Sequence, residues 1–126
     1  MKLQPDRFET LSVQAHGPGW VMVSGEKYTQ SVVLSSGGQV LDWACKGLDD
    51  AQPEHFENLL QFNPEVVVFG SGHKLRFVKP SVIRALIEAG VGVETMDTPA
   101  AARTFNILAS EGRRVVAALI IEAQTG

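Results

Sequence analysis

At 126 residues and 44 % apolar side chains, the chain has the size and composition of one folded domain with a real core, which argues against a disordered chain. A formal charge of −3 with no basic cluster argues against nucleic acid and against an anionic membrane surface, because both need a positive face. Cys45 is the single cysteine and cannot close an internal disulfide; no apolar run approaches the ~18 residues of a membrane span; and the start, Met-Lys-Leu-Gln-Pro-Asp-Arg, lacks the apolar middle of a signal peptide, so a cytoplasmic setting is expected.

Residues 1–10 are polar and are expected to be a loose lead-in to a single domain spanning 1–126. From Leu11 to Trp43 the period is two. Trp20-Val-Met-Val-Ser, Ser31-Val-Val-Leu-Ser and Val40-Leu-Asp-Trp are rich in β-branched and aromatic residues and are separated by Gly17-Pro18-Gly19, Gly25 and Gly37-Gly38. That pattern predicts a β-meander, with Gly37-Gly38 as a two-residue hairpin turn. After Trp43 the pattern changes. Asp49-Asp50 and Pro53 signal a helix start, and Phe56, Leu59 and Leu60 fall on one helical face. Asn63-Pro64 ends that helix.

The stretch Pro64-Glu-Val-Val-Val-Phe-Gly-Ser-Gly72 organises the rest. Val66 to Phe69 are four apolar residues between a proline and a glycine turn, too few for a helix. They predict a strand buried on both faces, as in a helix-covered parallel sheet. Pro80 then opens a helix with the stripe Val82, Ile83, Leu86 and Ile87, and Gly90 caps its end. Val91 to Met96 predicts a second strand, parallel to the first because a helix lies between them. Thr98-Pro99 marks a helix start, the hydroxyl as cap and proline in the first turn. That helix turns Ala101, Phe105 and Leu108 inward and stops near Gly112, and the apolar run Val115 to Ile121 predicts the central strand. The fold class is therefore α/β, a β-meander followed by β-α-β-α-β.

Gly70-Ser71-Gly72 leaves the sheet at the edge where α/β folds bind ligands, and such a loop can offer N–H groups to an anion. The phosphate fingerprints do not fit: G-x-G-x-x-G needs glycine where Leu75 stands, and no Gly-Lys-Ser/Thr occurs. Ser71, His73 and Asp97 meet none of the structural contexts of a catalytic triad. His16, His55 and His73 lack metal-ligand spacing, and no cofactor motif is present. The helix beginning at Thr98 is the better candidate. Arg103 and Asn106 lie three apart on one face and, with Thr98, can line a small polar cleft; in the plainer reading Arg103 pairs with a carboxylate and Asn106 ties down a backbone. Glu111-Gly112-Arg113-Arg114 reads as a glycine helix stop with charged flanks. Exposed apolar area around Trp20 and Trp43 would suit a homo-oligomer face.

The blocks Val66-Val-Val-Phe-Gly-Ser-Gly-His, Leu75-Arg-Phe-Val-Lys-Pro, Gly92-Val-Glu-Thr-Met-Asp-Thr-Pro-Ala-Ala-Ala-Arg-Thr-Phe-Asn-Ile-Leu108 and Glu111-Gly-Arg-Arg-Val115 carry a resemblance over nearly the whole chain. The chain resembles the Mth-type domain family of unassigned function, which includes the mitochondrial respiratory complex I assembly factor 3 and the adipogenesis-associated Mth-domain protein. The resemblance implies an α/β domain in three layers around a mixed sheet of about five strands, in a cytosolic or mitochondrial-matrix setting and without established catalysis; the members with a known role act through protein partners. Its shared positions fall here on Gly70, Gly72, Thr98, Arg103, Asn106 and Arg113, and Ala102 stands where many members carry cysteine. The expected function is a non-enzymatic interaction or assembly-factor-like domain. Its binding surface would comprise Gly70, Ser71, Gly72, Arg76, Asp97, Thr98, Arg103 and Asn106. The rival is a protein that binds or transforms a small anionic metabolite at the same edge, with Ser71, His73, Arg76 and Asp97 as first suspects.

Overall fold

The structure, a computed structural model, describes residues 11–122; the expected lead-in at 1–10 lies outside them. Two sheets form. Strands β1 (Val13–Gly17), β2 (Trp20–Val23) and β3 (Glu26–Tyr28) make a three-stranded antiparallel sheet. Strands β4 (Val32–Ser35), β5 (Val40–Asp42), β6 (Val66–Gly70), β7 (Gly92–Met96) and β8 (Val115–Leu119) make a five-stranded mixed sheet in the order β5-β4-β8-β6-β7. Helices α1 (Pro53–Glu57), α2 (Arg84–Glu88) and α3 (Thr98–Ser110) connect the strands of the second half.

The expected meander is thus divided. Its last two strands join the main sheet through β4, which runs antiparallel to β8, while β1 to β3 pack separately. β8 is central, and β6 runs parallel to both β8 and β7. Side chains alternate across the main sheet as the two-residue period requires. Val66, Val68, Val115, Ala117 and Leu119 face α3 and the small sheet. Val67, Phe69, Val116, Ala118 and Ile120 face Phe56, Leu59 and Leu86 on the other side. Three layers result.

Several local expectations shift. The β4–β5 turn is not a two-residue turn over Gly37-Gly38: Ser35 and Gln39 still pair, with the Ser35 amide donating to the Gln39 carbonyl at 2.9 Å, and only Gly38 takes a positive φ, 106°. Asp49 and Asp50 form a separate 3-10 turn, and α1 starts at Pro53, where Gln52 and His55 form a reciprocal cap. The helix expected from Pro80 is a 3-10 turn, Pro80–Val82, followed by the short α2, so its stripe breaks: Leu86 is fully buried but Ile87 is 57 % exposed. Trp43 is buried in edge-to-face contact with Phe56 and Phe69, which removes it from any exposed oligomer face.

Candidate functional site

β6 and β8 end at the same edge of the main sheet, and α3 begins there after β7. The structure brings Gly70 to Gly72 and Thr98 into direct contact. The Thr98 hydroxyl accepts from the Gly72 amide at 2.9 Å and donates to the Ile120 carbonyl at 2.7 Å. Thr98 is therefore not the helix cap. Asp97 is: its carboxylate accepts from the Ala100 amide at 2.8 Å, with Pro99 in the first turn.

The two glycines are required for different reasons. A Cβ on Gly70 would lie 2.9 Å from Thr98 Oγ1 and 3.0 Å from Thr98 Cα, so its absence lets α3 start against the strand end. Gly72 has φ +108°, and a Cβ there would lie 2.6 Å from Glu122 Oε1.

Ser71 is fully buried and binds its own loop. Its hydroxyl donates to the Lys74 carbonyl at 2.6 Å and accepts from the Arg76 amide at 3.0 Å. Glu122 lies over the loop. Its carboxylate accepts from the His73 amide at 3.2 Å, contacts the His73 ring at Nδ1, and binds Arg76 Nη2 at 2.7 Å. Burial pushes the Glu122 carboxyl up, but the hydrogen bonds from His73 and Arg76 outweigh it, and its pKa lies below the ordinary carboxylate value. Arg76 also donates to the Ser71 carbonyl at 3.2 Å.

Most of the polar groups at this edge are thus bound to one another, while Arg76 Nε is buried without a hydrogen-bond partner among the described residues. The amides of Ser71, Gly72 and His73 donate to the Met96 carbonyl, Thr98 Oγ1 and Glu122 respectively. In the first turn of α3, Thr98 N donates to the Gly72 carbonyl, Ala100 N to the Asp97 carboxylate and Ala101 N to the Asp97 carbonyl. These six amides are therefore engaged within the chain. Ser71, His73 and Asp97 each serve a different partner and form no nucleophile–base–acid chain.

Two expected residues lie elsewhere. Asn106 does not meet Thr98 in a cleft; its amide side chain binds both backbone groups of Val13, accepting from N–H at 2.8 Å and donating to the carbonyl at 2.9 Å. Arg103 is exposed on α3, and none of the ion pairs among the described residues includes it. Arg113 belongs to the opposite edge, where it binds Glu65 at 3.1 Å. Ala102 is buried in the core beneath α3.

What opens at the Thr98 edge is a cavity of about 690 Å³ between the small sheet and the main one. One wall is the β1–β2 turn with Pro18 and Trp20; the other comprises Gly72, His73, Thr98 and Pro99; Ile120, Ile121 and Glu122 line it where the chain leaves β8. Its size falls within the roughly 300–1,000 Å³ of small-ligand sites. Trp20 and Glu122 were not anticipated here. Glu122 was findable in principle, because a residue just past the central strand must emerge at the edge where its parallel neighbour β6 ends. The β1–β2 turn was not, because nothing local shows that the small sheet folds back over that edge.

A family described as "Protein of unknown function (DUF498/DUF598)" matches residues 13–120. Among named relatives, the Bos taurus NADH dehydrogenase (ubiquinone) 1 alpha subcomplex assembly factor 3 is 40 % identical over 83 residues, 64 % of this chain. The match spans 45 % of that relative's own length. Among solved structures, a Bordetella parapertussis protein superposes with a TM-score of 0.85 at 36 % identity, covering 90 % of this chain and 97 % of that one. A Bordetella pertussis protein described as a Mth938-like domain gives 0.83 at 30 % identity, covering 99 % and 95 %.

Proposed function

The chain belongs to the DUF498/DUF598 family of unknown function, and from that premise we propose that it is a non-catalytic protein-interaction domain with an assembly-factor-like role. The bovine relative is named for assembly of a multi-subunit enzyme, a role that implies protein partners. The observation that carries the reading is the open cavity at the Thr98 edge, walled by Pro18, Trp20, Pro99, Ile120 and Ile121, beside Thr98, His73 and Glu122, whose hydrogen bonds stay within the chain. A partner segment placed there buries its own apolar side chains without displacing a hydrogen bond. An anionic metabolite has less support, because the amides of Ser71, Gly72, His73, Thr98, Ala100 and Ala101 already have partners within the chain. No helix among the described residues is long and apolar enough to cross a membrane. A reducing, cytoplasmic setting suits Cys45, which is buried and free, its thiol pushed up by burial to about 11.

The test places a photo-crosslinking aromatic residue at Trp20, with a second chain labelled at Glu57, on α1 across the main sheet, as control. Irradiation in cells is expected to yield a defined protein product from position 20 only. That protein, once purified, should bind the wild-type chain and bind Trp20→Ala at least about tenfold more weakly. The same products from both positions, or none from position 20, overturn the reading.

A further inference from the structure

The loop that leaves the cavity rim has a charge pattern unlike the rest of the chain. Between Glu65 and Glu88 there is no aspartate or glutamate, yet Lys74, Arg76, Lys79 and Arg84 all lie there, in a chain of net charge −3. Within that segment Leu75 and Phe77 are 54 % and 69 % exposed. The loop is held in shape by Ser71, whose hydroxyl binds Lys74 and Arg76, and by Glu122, which holds the Arg76 guanidinium against the body. Arg76 is thereby neutralised and turned inward. The apolar residues on either side of it are displayed outward, flanked by the exposed Lys74 and Lys79. Single exposed apolar residues are ordinary. Here two such residues lie side by side on one loop, flanked by lysines that make no ion pair among the described residues, and the loop begins where Gly72 and His73 line the cavity.

We propose that the loop Lys74–Lys79 is the docking tip for an acidic, apolar-bearing segment of the protein partner whose adjoining residues fill the cavity; this rests on the protein-interaction reading above. Charge complementarity selects the acidic segment: Lys74 and Lys79 meet its carboxylates while Leu75 and Phe77 pack on its apolar side chains. A bilayer fits less well. Its flat face cannot enter the cavity, and with Arg76 neutralised by Glu122 the segment offers Lys74, Lys79 and Arg84, below the roughly four to eight cations of lipid-reading clusters.

The experiment selects peptides from a random displayed library on the purified full chain and measures the enriched peptides by fluorescence anisotropy. Enriched sequences are expected to interleave Asp or Glu with Leu, Phe or Trp. They should bind at least about tenfold more weakly to Leu75→Ser/Phe77→Ser and to Lys74→Glu/Lys79→Glu, and lose affinity between about 50 and 500 mM salt. Circular dichroism confirms that these exposed-loop variants stay folded. Peptides without acidic bias, or peptides bound equally by both loop variants, overturn the proposal; if Trp20→Ala still abolishes that binding, the cavity reading survives without the loop. Failure to enrich any peptide, together with no crosslink at position 20, removes both. Sedimentation with phosphatidylglycerol vesicles that the loop variants abolish assigns the loop to lipid and overturns the proposal. A dimer seen by sedimentation velocity and lost in Phe77→Ser assigns it to a second copy and overturns it equally.

Discussion

Thr98 Oγ1 sits where three segments of chain meet: the loop after β6, the first turn of α3 and the residue after β8. Its two partners are backbone groups of Gly72 and Ile120, both buried, and neither group makes another hydrogen bond among the described residues. Thr98→Val keeps the shape and deletes both hydrogen bonds. Each stranded buried group costs on the order of 1–3 kcal/mol, so urea unfolding should show a loss of about 2–4 kcal/mol. Thr98→Ser keeps the hydroxyl and loses one methyl, for about 1 kcal/mol or less. Equal losses in the two variants would show that methyl packing, not the double hydrogen bond, secures this junction. The same geometry explains the adjacent glycines. Gly70 has no Cβ because Thr98 occupies that space, and Gly72 has none because Glu122 does. A loop that in sequence reads as either a plain turn or an anion-binding bend is a closure, with the chain's own carboxylate lying on it.

At the scale of elements, α3 shows what local sequence carries and what it does not. Its start, its proline and its inward face of Ala101 and Phe105 were all legible, because capping and the 3.6-residue period are written within a few residues. The identity of the cap was not. Asp97 and Thr98 are both good cap residues, and the choice fell to Asp97 because Thr98 is engaged by Gly72 and Ile120, which are distant in sequence. Asn106 makes the same point from the outer side of the helix. It binds N–H and carbonyl of Val13 as a neighbouring strand would, and so fixes the small sheet to α3. Asn106→Ala should therefore act locally. Hydrogen exchange is expected to quicken at the β1 and β2 amides, while amides of β6 and β8, buried at the centre of the main sheet, change far less. Uniform acceleration across both sheets would mean that they open as one unit and that this contact is not a separable hinge.

For the whole molecule, the second half was legible because helices between strands force parallel pairing, whereas the first half was not: short antiparallel strands of similar composition do not state which of them will pair with β8. The central pair β6 and β8 is then clasped at both ends by carboxylates. Glu65, just before β6, binds Arg113 and the Arg114 amide ahead of β8; Glu122, after β8, binds His73 and Arg76 after β6. The Arg114 amide and then the Arg113 side chain lower the Glu65 pKa. At Glu122 burial acts upward but is outweighed by His73 and Arg76, so this pKa is lowered too. A carboxyl whose folded pKa lies below its unfolded value stabilises the fold above the unfolded pKa, and that contribution is lost as pH falls through the folded one. With the unfolded reference at 4.5 for both groups, the contribution is complete at neutral pH and declines as the medium is acidified below about 4.5. Glu65→Gln/Glu122→Gln removes both titrating groups. Urea midpoints measured from pH 7 to pH 3 should fall more steeply for the wild type than for the double variant, and the two should converge at the acid end. Parallel curves would place the acid sensitivity in other carboxylates and leave the two clasps as surface pairs of little consequence.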